Sequence, residues 1–277
     1  MSDIIIYVFL LNVVFISYAS NRVKTDIEKW ELIGNIRSVE IREGLNMVSQ
    51  IFFNKDGKLI DQELSIKTPN EQTWIKTHTK YTYNSSGKLS AKFSYIDNGL
   101  MDKKTLYSYS KNGKETEETT YDSKEVFLFK YVYIFNPQGD EIEGKFYKKS
   151  DAEERKWVKS YDGKGNLTSL IWFKTDGSID YKVLYEYDEN NYQSKNLIYK
   201  ADGSLDERRE YKHDGKGNVI EEITYKSDNS IQEKKVYKYM FDSIGNWTNK
   251  ITSIFSNHSG KLSPDSSSTT FRTITYY

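Results

Sequence analysis

The chain has 277 residues and equal numbers of basic and acidic side chains, 40 of each, so its formal net charge at pH 7 is zero. A neutral chain lacks the excess of Lys and Arg that binding to a phosphate backbone requires, and we therefore predict no nucleic-acid partner. Cysteine is absent, which excludes disulfides, and aromatic residues make up 15% of the chain. Tyrosine, with 23 copies, is the most abundant of these, which favours β-strands over helices.

The first 19 residues form an apolar leader. Its run from Ile4 to Ala19 ends in Ser17-Tyr18-Ala19, with small residues at the two positions that signal peptidase reads. The sequence thus predicts a cleaved signal over residues 1–19 and an exported protein, periplasmic or extracellular in a bacterial cell envelope. A membrane anchor or a buried strand is the alternative, because the leader carries Asp3 and no basic residue. We expect no membrane span in the mature chain.

A short sequence motif, the phrase, recurs along the chain: an aromatic residue, three small or polar residues, and a glycine. Counted from Gly87, the turn positions alternate at steps of 12 and 14 residues up to a last step of 16, which gives a 26-residue repeat in six copies. Four turn positions are not glycine. Two of them are Asn191 and Asn229, and asparagine is the residue that, next to glycine, most readily adopts a positive φ. The other two, Glu125 and Asp151, predict strained or differently built turns.

Each phrase predicts a β-hairpin. A type I turn followed by a left-handed residue places the aromatic opposite the apolar residue that comes two positions after the turn, so Tyr199 faces Leu205 and Phe241 faces Trp247. The short spacing leaves no room for crossover helices, so the strands are antiparallel and sequential. The predicted fold class is all-β: a long antiparallel meander of about 14–16 strands, curled into a single-layer sheet, with a closed wide barrel as the alternative.

The remainder of the chain is divided around this array. Residues 20–80 are predicted to form an amino-terminal capping region with the first strands, and residues 81–250 hold the six-copy array. Residues 251–277 are predicted to form carboxyl-terminal capping strands around a Ser-rich loop over residues 257–270. We expect the segment Val23 to Trp30 to fill part of the aromatic wall.

Two segments, Tyr185 to Asn191 (YEYDENN) and Tyr161 to Leu167 (YDGKGNL), resemble the YD repeats of RHS-type bacterial proteins. The likeness covers residues 81–250, and MORN-type hairpin arrays are a weaker match. The resemblance implies a continuous antiparallel sheet that spirals into a shell, often on exported or surface proteins and sometimes around a toxin. We expect a short form without a toxin domain, and the resemblance supplies no catalytic residues.

The register deduced from the repeat places the aromatic residues on one face of the sheet, with Glu221 opposite Lys235 and Glu222 beside Lys234. This face predicts an exported, non-catalytic scaffold or binding protein that contacts carbohydrate or a protein partner. The alternative is that most of the aromatics only stabilise their own hairpins by packing against a residue on the neighbouring strand. The candidate ligand contacts are Trp157, Tyr161, Phe173, Tyr185, Tyr187, Tyr199, Tyr211, Tyr225, Tyr237 and Tyr239.

The histidines and the Asp-rich turns give no metal motif. His78, His213 and His258 have no second His or Cys at a metal-ligand spacing, and His213 stands in a slot that is aromatic in other repeats, so we expect it to be structural. The turns that begin at Asp162 and Asp214 lack the later acidic ligands of a calcium loop. We therefore predict no metal, no cofactor and no catalytic residue.

Two alternatives to a binding protein stay open. A polysaccharide-acting enzyme would use paired carboxylates such as Glu207 and Glu221, since glycoside hydrolysis needs two carboxyl groups about 5 to 9 Å apart. An immunity partner of a secreted toxin is the other alternative.

Overall fold

The computed structural model describes residues 25–68, 73–97, 99–148, 153–258 and 260–277, without the side chain of residue 153. The signal predicted over residues 1–19 and the turn predicted at Asp151 lie outside this part of the chain. One short helix, α1 (Asp26–Lys29), precedes the strands. In the described ranges no helix is long and apolar enough to cross a membrane.

Eighteen strands follow in chain order. They are β1 (Ile36–Glu43), β2 (Met47–Phe53), β3 (Leu59–Lys67), β4 (Trp74–Tyr83), β5 (Leu89–Ile96), β6 (Met101–Tyr109), β7 (Glu115–Asp122), β8 (Phe127–Phe135), β9 (Glu141–Lys148), β10 (Glu153–Tyr161), β11 (Leu167–Phe173), β12 (Ile179–Tyr187), β13 (Gln193–Lys200), β14 (Leu205–His213), β15 (Val219–Lys226), β16 (Ile231–Phe241), β17 (Trp247–His258) and β18 (Lys261–Tyr276).

The strands form one closed antiparallel barrel. Each strand pairs with the next, and β18 pairs with β1 through contacts such as Ile274 opposite Val39. The closed wide barrel is therefore confirmed, and the open curled sheet is wrong. The strands number 18 rather than about 14–16, and the region before residue 81 contributes three full strands and most of a fourth to the wall.

The Ser-rich stretch belongs to the wall as well. Residues 261–270 pair with β17, for example Ser266 opposite Ile254 and Ser268 opposite Thr252, and the chain then continues to the seam with β1. The predicted loop over residues 257–270 is thus wrong. Ladder hydrogen bonds to a long neighbouring strand outweigh the low intrinsic β-propensity of serine.

The hairpin turns have the predicted geometry. In the turn after β13 the Gly203 N–H donates to the Lys200 carbonyl at 3.0 Å, and Gly203 has a φ of +81°. Asn191 and Asn229 take φ values of 67° and 65°, which confirms the left-handed conformation expected of them. Glu125 is also left-handed, with a φ of 62°. It is one of the two turn positions at which the sequence predicted strain, because it is neither glycine nor asparagine.

Most of these turns are followed by one extra residue; at the turn of Gly113, Tyr109 pairs with Thr116 without a register shift. Phe241 pairs with Trp247 as predicted, but Met240 pairs with Asn249, so Thr248 has no partner of its own. Such a bulge reverses the inside–outside alternation along the strand. The aromatics that precede the turns therefore point inward at one end of the barrel and outward at the other.

This reversal corrects two sequence-based predictions. The aromatic residues do not share one face, although Tyr199 does pair with Leu205 as expected. The predicted charge neighbours shift by one residue, so that Glu222 lies opposite Lys235 rather than Lys234. Counting residues without the bulge gives the wrong parity, because side-chain direction in a strand has a period of two.

The two ends of the barrel have different turn chemistry. The first rim, formed by the turns after the even-numbered strands β2 to β16, begins its turns with Asn, Asp or Ser: Asp162 Oδ1, for example, accepts the N–H groups of Lys164 at 2.8 Å and Asn166 at 2.9 Å. The second rim lies at the opposite end, after the odd-numbered strands. There the turn that begins at Lys200 is instead held by Asp202, which accepts from Ser204.

Inward tyrosines tie neighbouring hairpins together along the first rim. The Tyr161 hydroxyl on β10 donates to the Glu141 carbonyl on β9 at 2.8 Å, and the Tyr187 hydroxyl donates to the Leu167 carbonyl at 2.8 Å. Each bond joins strands that belong to different first-rim hairpins. The same bond is made by Tyr83, Tyr109 and Tyr239.

An N-terminal segment, residues 25–35, covers part of the first rim. The Ile33 N–H donates to Asn246 Oδ1 at 2.7 Å, and Asn246 Nδ2 returns a bond to the Ile33 carbonyl at 2.8 Å. Beneath the segment lies a buried apolar cluster, against which Ile27 and Trp30 pack; these belong to the segment predicted to fill part of the aromatic wall. The cluster comprises Leu32, Ile36, Val39, Ile41, Ile51 and Phe53.

Replacing Tyr161 with Phe should lower the free energy of unfolding by about 1 kcal/mol, because the substitution removes one hydrogen bond between hairpins and little apolar area. The outward Tyr199, whose hydroxyl has no partner among the described residues, provides the control: Tyr199→Phe should stay within about 0.5 kcal/mol of the parent. Urea unfolding followed by far-UV circular dichroism measures both. Equal effects of the two substitutions would contradict a stabilising role for the hydrogen bond of the Tyr161 hydroxyl.

Candidate functional site: the inward aromatic wall

The structure divides the ten predicted ligand-contact residues between the two faces. The outward group includes Tyr225, whose ring lies 4.1 Å from the Arg208 guanidinium, and Tyr199, which pairs with Lys182. Sequence reasoning had placed all ten together. Seven point inward, namely Trp157, Tyr161, Tyr185, Tyr187, Tyr211, Tyr237 and Tyr239, and three point outward, namely Phe173, Tyr199 and Tyr225.

The inward face carries a continuous row of rings across β8 to β12, the aromatic ladder: Tyr131, Phe146, Trp157, Trp172 and Tyr181. The Tyr131 ring centroid lies 4.9 Å from that of Phe146 and 6.2 Å from that of Trp157. The Trp157 and Trp172 rings are 4.9 Å apart, and the Trp172 and Tyr181 rings are 5.9 Å apart. One strand thus contributes one ring, and the ladder spans five adjacent strands.

Gly144 makes the centre of the ladder possible. It lies opposite Trp157, and a Cβ added to it would come within 1.9 Å of Trp157 Cζ2. The indole therefore crosses β9 at the one position without a side chain, and it reaches Tyr131 on β8. Its Nε1–H donates to Glu141 Oε1 at 2.7 Å, which fixes the direction of the ring.

Sequence reasoning found only one of the five ladder residues. Tyr131, Phe146, Trp172 and Tyr181 were missed because none of them occupies the aromatic position of the repeated turn; Phe146 and Trp172, for example, directly precede it. A signal for them was present: Gly144 stands inside a strand without a turn, and glycine there marks the close approach of another group. Trp157 is 6% exposed, whereas the other four rings are only half-buried.

Glu118 lies at one side of the ladder, on β7, among inward tyrosines. The Lys92 ammonium lies 2.9 Å from its carboxylate and 5.3 Å from the centre of the Tyr107 ring, and the Tyr133 hydroxyl donates to it at 3.4 Å. Burial, followed by the negative charge of Glu118, raises the pKa of Tyr107 and of Tyr133. These phenols stay protonated and serve as hydrogen-bond donors.

The wall on the other side of the ladder combines tyrosines with buried cations. Tyr237 donates to Glu222 at 2.9 Å, and the Lys250 ammonium lies 4.8 Å from the centre of the Tyr237 ring. The Arg272 guanidinium stacks 3.5 Å from the centre of the Trp247 ring, and burial lowers the pKa of Arg272 to about 10. Burial likewise lowers the pKa of Lys250. The inner surface is therefore aromatic and polar at once.

The two carboxylates considered for glycoside hydrolysis do not come together. Glu207 points inward and pairs with Arg209, while Glu221 points outward and bridges Lys212 at 2.8 Å and Lys234 at 2.6 Å. The sheet itself separates them, so they cannot act on the same glycosidic bond.

The histidines have structural surroundings. His213 stacks on Tyr192 with the ring centroids 5.2 Å apart, and burial lowers its pKa. On the outward face His78 Nε2 lies 2.5 Å from Asp61 Oδ1, with Glu63 close enough that the three possible ligand atoms lie within 4.8 Å of one another.

The group of His78, Asp61 and Glu63 was not predicted from the sequence. Its residues are brought together by the pairing of β3 with β4, and they do not follow a His or Cys spacing along the chain. Lys80 lies directly opposite Asp61, and Lys76 lines the same cleft beside Glu63. His78 and Asp61 already bind each other, and Lys76 and Lys80 lie nearby, so we assign no metal to this group.

No protein-family model matches the chain, and no curated protein matches it in sequence. Among solved structures, a porin-like protein from Bacteroides uniformis matches 87% of this chain and 96% of its own length, at 13% identity and a TM-score of 0.52. A porin-like protein from Bacteroides vulgatus matches with a TM-score of 0.29 at 14% identity, over 88% of this chain and 99% of its own.

A chain of the Photorhabdus luminescens Tc holotoxin pore matches 80% of this chain but 18% of its own length, at 11% identity and a TM-score of 0.28. The first likeness shows that the barrel fold occurs elsewhere, and the two with low scores carry no argument. The YD-repeat resemblance accordingly stays a sequence-based prediction.

Gly144→Ala should lower the free energy of unfolding by about 1–3 kcal/mol, because the added methyl group forces Trp157 out of the ladder. Gly163→Ala provides a matched control, since a Cβ there meets nothing within 4 Å. Thermal unfolding and the tryptophan fluorescence maximum report stability and ring environment. An unchanged fluorescence maximum in Gly144→Ala would contradict the packing of Trp157 over this glycine.

Alkaline pH should unfold the protein as its inward tyrosines ionise. Burial raises the pKa of Tyr81 and of Tyr185 from 10.0 to about 12, so the folded state holds these protons more tightly than the unfolded state does. The stability they contribute is complete below the unfolded pKa near 10 and is lost as the pH rises towards 12. Phenolate absorbance near 295 nm should then rise together with the loss of circular dichroism. Complete ionisation near pH 10 in a folded protein would contradict this.

Proposed function

We propose that the protein is an exported, non-catalytic β-barrel that binds a carbohydrate chain along the aromatic ladder inside its lumen, the space that the strands enclose. The observation that carries this proposal is the row of five inward rings on five adjacent strands. Aromatic rings with a few oriented polar groups are the usual lining of small-molecule sites. Here Glu141 and Lys159, 2.9 Å apart, supply polar groups beside Trp157.

The size of the barrel supports an accessible ladder. Barrels of 16 to 18 strands are wide enough that inward side chains leave an aqueous space, whereas about eight strands give an interior that side chains fill. Apart from the cluster beneath the N-terminal segment, most inward side chains are only half-buried. The rings of Tyr131, Trp172 and Tyr181 thus face solvent within the barrel rather than a packed core.

The outward face suits an aqueous environment. Barrels embedded in a bilayer carry an apolar outward band about 25 Å tall. This wall instead carries ion pairs in mid-strand, among them Lys156–Glu143 at 2.8 Å and Lys212–Glu221 at 2.8 Å. We therefore favour a periplasmic or extracellular barrel surrounded by water over one that crosses the membrane.

Two further observations support the location and the absence of catalysis. The apolar leader over residues 1–19 has the pattern of a secretory signal, and a porin-like protein shares the fold. The separation of Glu207 and Glu221 by the sheet argues against the hydrolase that the sequence had left open.

The proposal is tested by binding neutral and acidic oligosaccharides to the mature protein, with intrinsic tryptophan fluorescence and calorimetry as readouts. Trp172→Ala should weaken binding roughly tenfold, because stacking of a ring contributes about 1–2 kcal/mol. Phe173→Ala, the adjacent aromatic on the outward face, is the matched control and should leave the affinity unchanged. Circular dichroism confirms that both variants fold. Equal losses, or no binding of any glycan by the parent protein, would overturn the proposal.

A further inference from the structure

We infer that the glycan held by the ladder is acidic, bearing carboxylate or sulfate groups, and that these groups bind at the second rim. The inference rests on the proposed function and adds the chemical class of the ligand. It is carried by a set of inward cations, the cationic arc, at the second-rim ends of β9 and β10, which bear ladder rings, and of β13 and β15 beyond the ladder: Lys148, Arg155, Lys200 and Lys226.

The cationic arc adjoins the ladder directly. Lys200 lies opposite Tyr181, and Arg155 lies opposite Phe146, so two of its members are cross-strand neighbours of ladder rings. Lys148 lies opposite Phe129, whose ring is 5.7 Å from that of Tyr131. Cross-strand neighbours on one face have side chains about 5 Å apart. A sugar stacked on the rings therefore has cations within reach of its substituents.

An electrostatic effect on Tyr181 agrees with this placement. Burial raises the pKa of Tyr181, and the positive charge of Arg155 opposes that rise. The charge of Arg155 thus acts across the inner surface towards the far end of the ladder. Arg155, Lys148 and Lys200 are all exposed, as groups that receive a ligand from solvent must be.

The repeat explains why the cations cluster here. Lys148, Lys174, Lys200 and Lys226 follow one another at steps of 26 residues, each directly after an outward aromatic at the second rim. The bulges make this position inward on β9, β13 and β15. In the earlier repeats it is held by Ile96 and Asp122, so this position of the repeat is basic only from β9 onwards.

The acidic groups near the cationic arc are largely engaged elsewhere. Asp206 lies 3.3 Å from Lys200, but both side chains are 54% exposed, where an ion pair contributes little. Glu207, opposite Lys226, pairs with Arg209. The turn aspartates, such as Asp202, accept the hydroxyl and backbone N–H of a serine in their own turn.

The turns of both rims carry aspartates in this sector. At the first rim Asp162 and Asp214 each have a lysine two residues later, and at the second rim each turn also holds an aspartate, such as Asp202. The inward cations beside the ladder, rather than a difference in acidic residues between the rims, therefore place the acidic groups of the ligand at the second rim. Charge-assisted hydrogen bonds from Lys and Arg to carboxylates or sulfates are stronger than neutral ones, which makes the arc the source of selectivity.

The experiment compares three probes, namely oligogalacturonate, dextran sulfate and maltodextrin, on the mature protein at low and high salt. The parent should bind an acidic probe at least about tenfold more tightly than maltodextrin, and the preference should shrink with salt. Oligogalacturonate and dextran sulfate separate carboxylate from sulfate recognition.

The triple variant Lys148→Gln, Arg155→Gln and Lys200→Gln should lose that preference while keeping its affinity for maltodextrin. A control with the same loss of charge on the outward face, Lys182→Gln, Lys195→Gln and Lys238→Gln, should keep the preference. Circular dichroism and thermal unfolding establish that both triple variants fold.

The outcomes separate the two proposals. Equal binding of acidic and neutral probes, sensitive to Trp172→Ala, would overturn the inference and leave the binding function intact. Equal losses in the inward and outward triple variants would also overturn it, because the attraction would then come from the charge of the whole molecule. No binding of any probe would overturn both.

Discussion

The hairpin turn, together with the one-residue bulge that follows it, is the constraint on which the rest of the barrel depends. In most hairpins the left-handed residue that closes the turn, such as Gly203 or Asn191, is followed by a bulge in the next strand. That bulge sets the stagger between neighbouring strands and decides which side chains point inward. Repeated around the sheet, the stagger tilts the strands as closure into a barrel requires. The inner surface, the outer surface and the difference between the rims therefore share one local cause.

A barrel of this width, in which few residues are fully buried, has little conventional core, so neighbouring strands must stabilise each other. The Tyr161 and Tyr187 hydroxyls bind carbonyl groups of the adjacent hairpin, and the aromatic ladder continues from strand to strand. These contacts run along the wall rather than across the lumen. Polar groups on the inner surface, such as the Tyr161 and Tyr187 hydroxyls, find partners on neighbouring strands, which limits the cost of placing them there.

The sequence allowed the strands, their antiparallel order and the left-handed positions to be predicted, because each depends on residues close together in the chain. Tyr199 opposite Leu205 is an example. The two faces could not be assigned, since the extra residue of each bulge reverses the parity and leaves no mark in composition. Phe173 and Tyr225 were for this reason placed with Trp157, although the sheet separates them.

The ladder and the closure were harder to predict for a different reason. Both depend on residues that only the completed sheet brings together, as when Gly144 admits the Trp157 indole. Closure in particular depends on a register between β1 and β18, at opposite ends of the chain. Periodicity gives the tilt of the strands but does not state how many strands complete the circle, which is why the open sheet and the closed barrel both stayed possible.

The position of the buried apolar cluster explains how the barrel is kept closed between β1 and β18. Joining β1 to β18 closes a loop of more than two hundred residues, which costs about 5 kcal/mol of chain entropy by the logarithmic dependence on loop length. The cluster lies at this seam: Val39 and Ile41 come from β1, Ile51 and Phe53 from β2, and Ile274 of β18 packs against them. Burying an aliphatic or aromatic side chain contributes about 1.5–3 kcal/mol, so two or three of these side chains offset the cost of closure. The N-terminal segment adds Leu32 to the same cluster. The seam, where no hairpin turn joins β18 to β1, is therefore held by buried apolar packing.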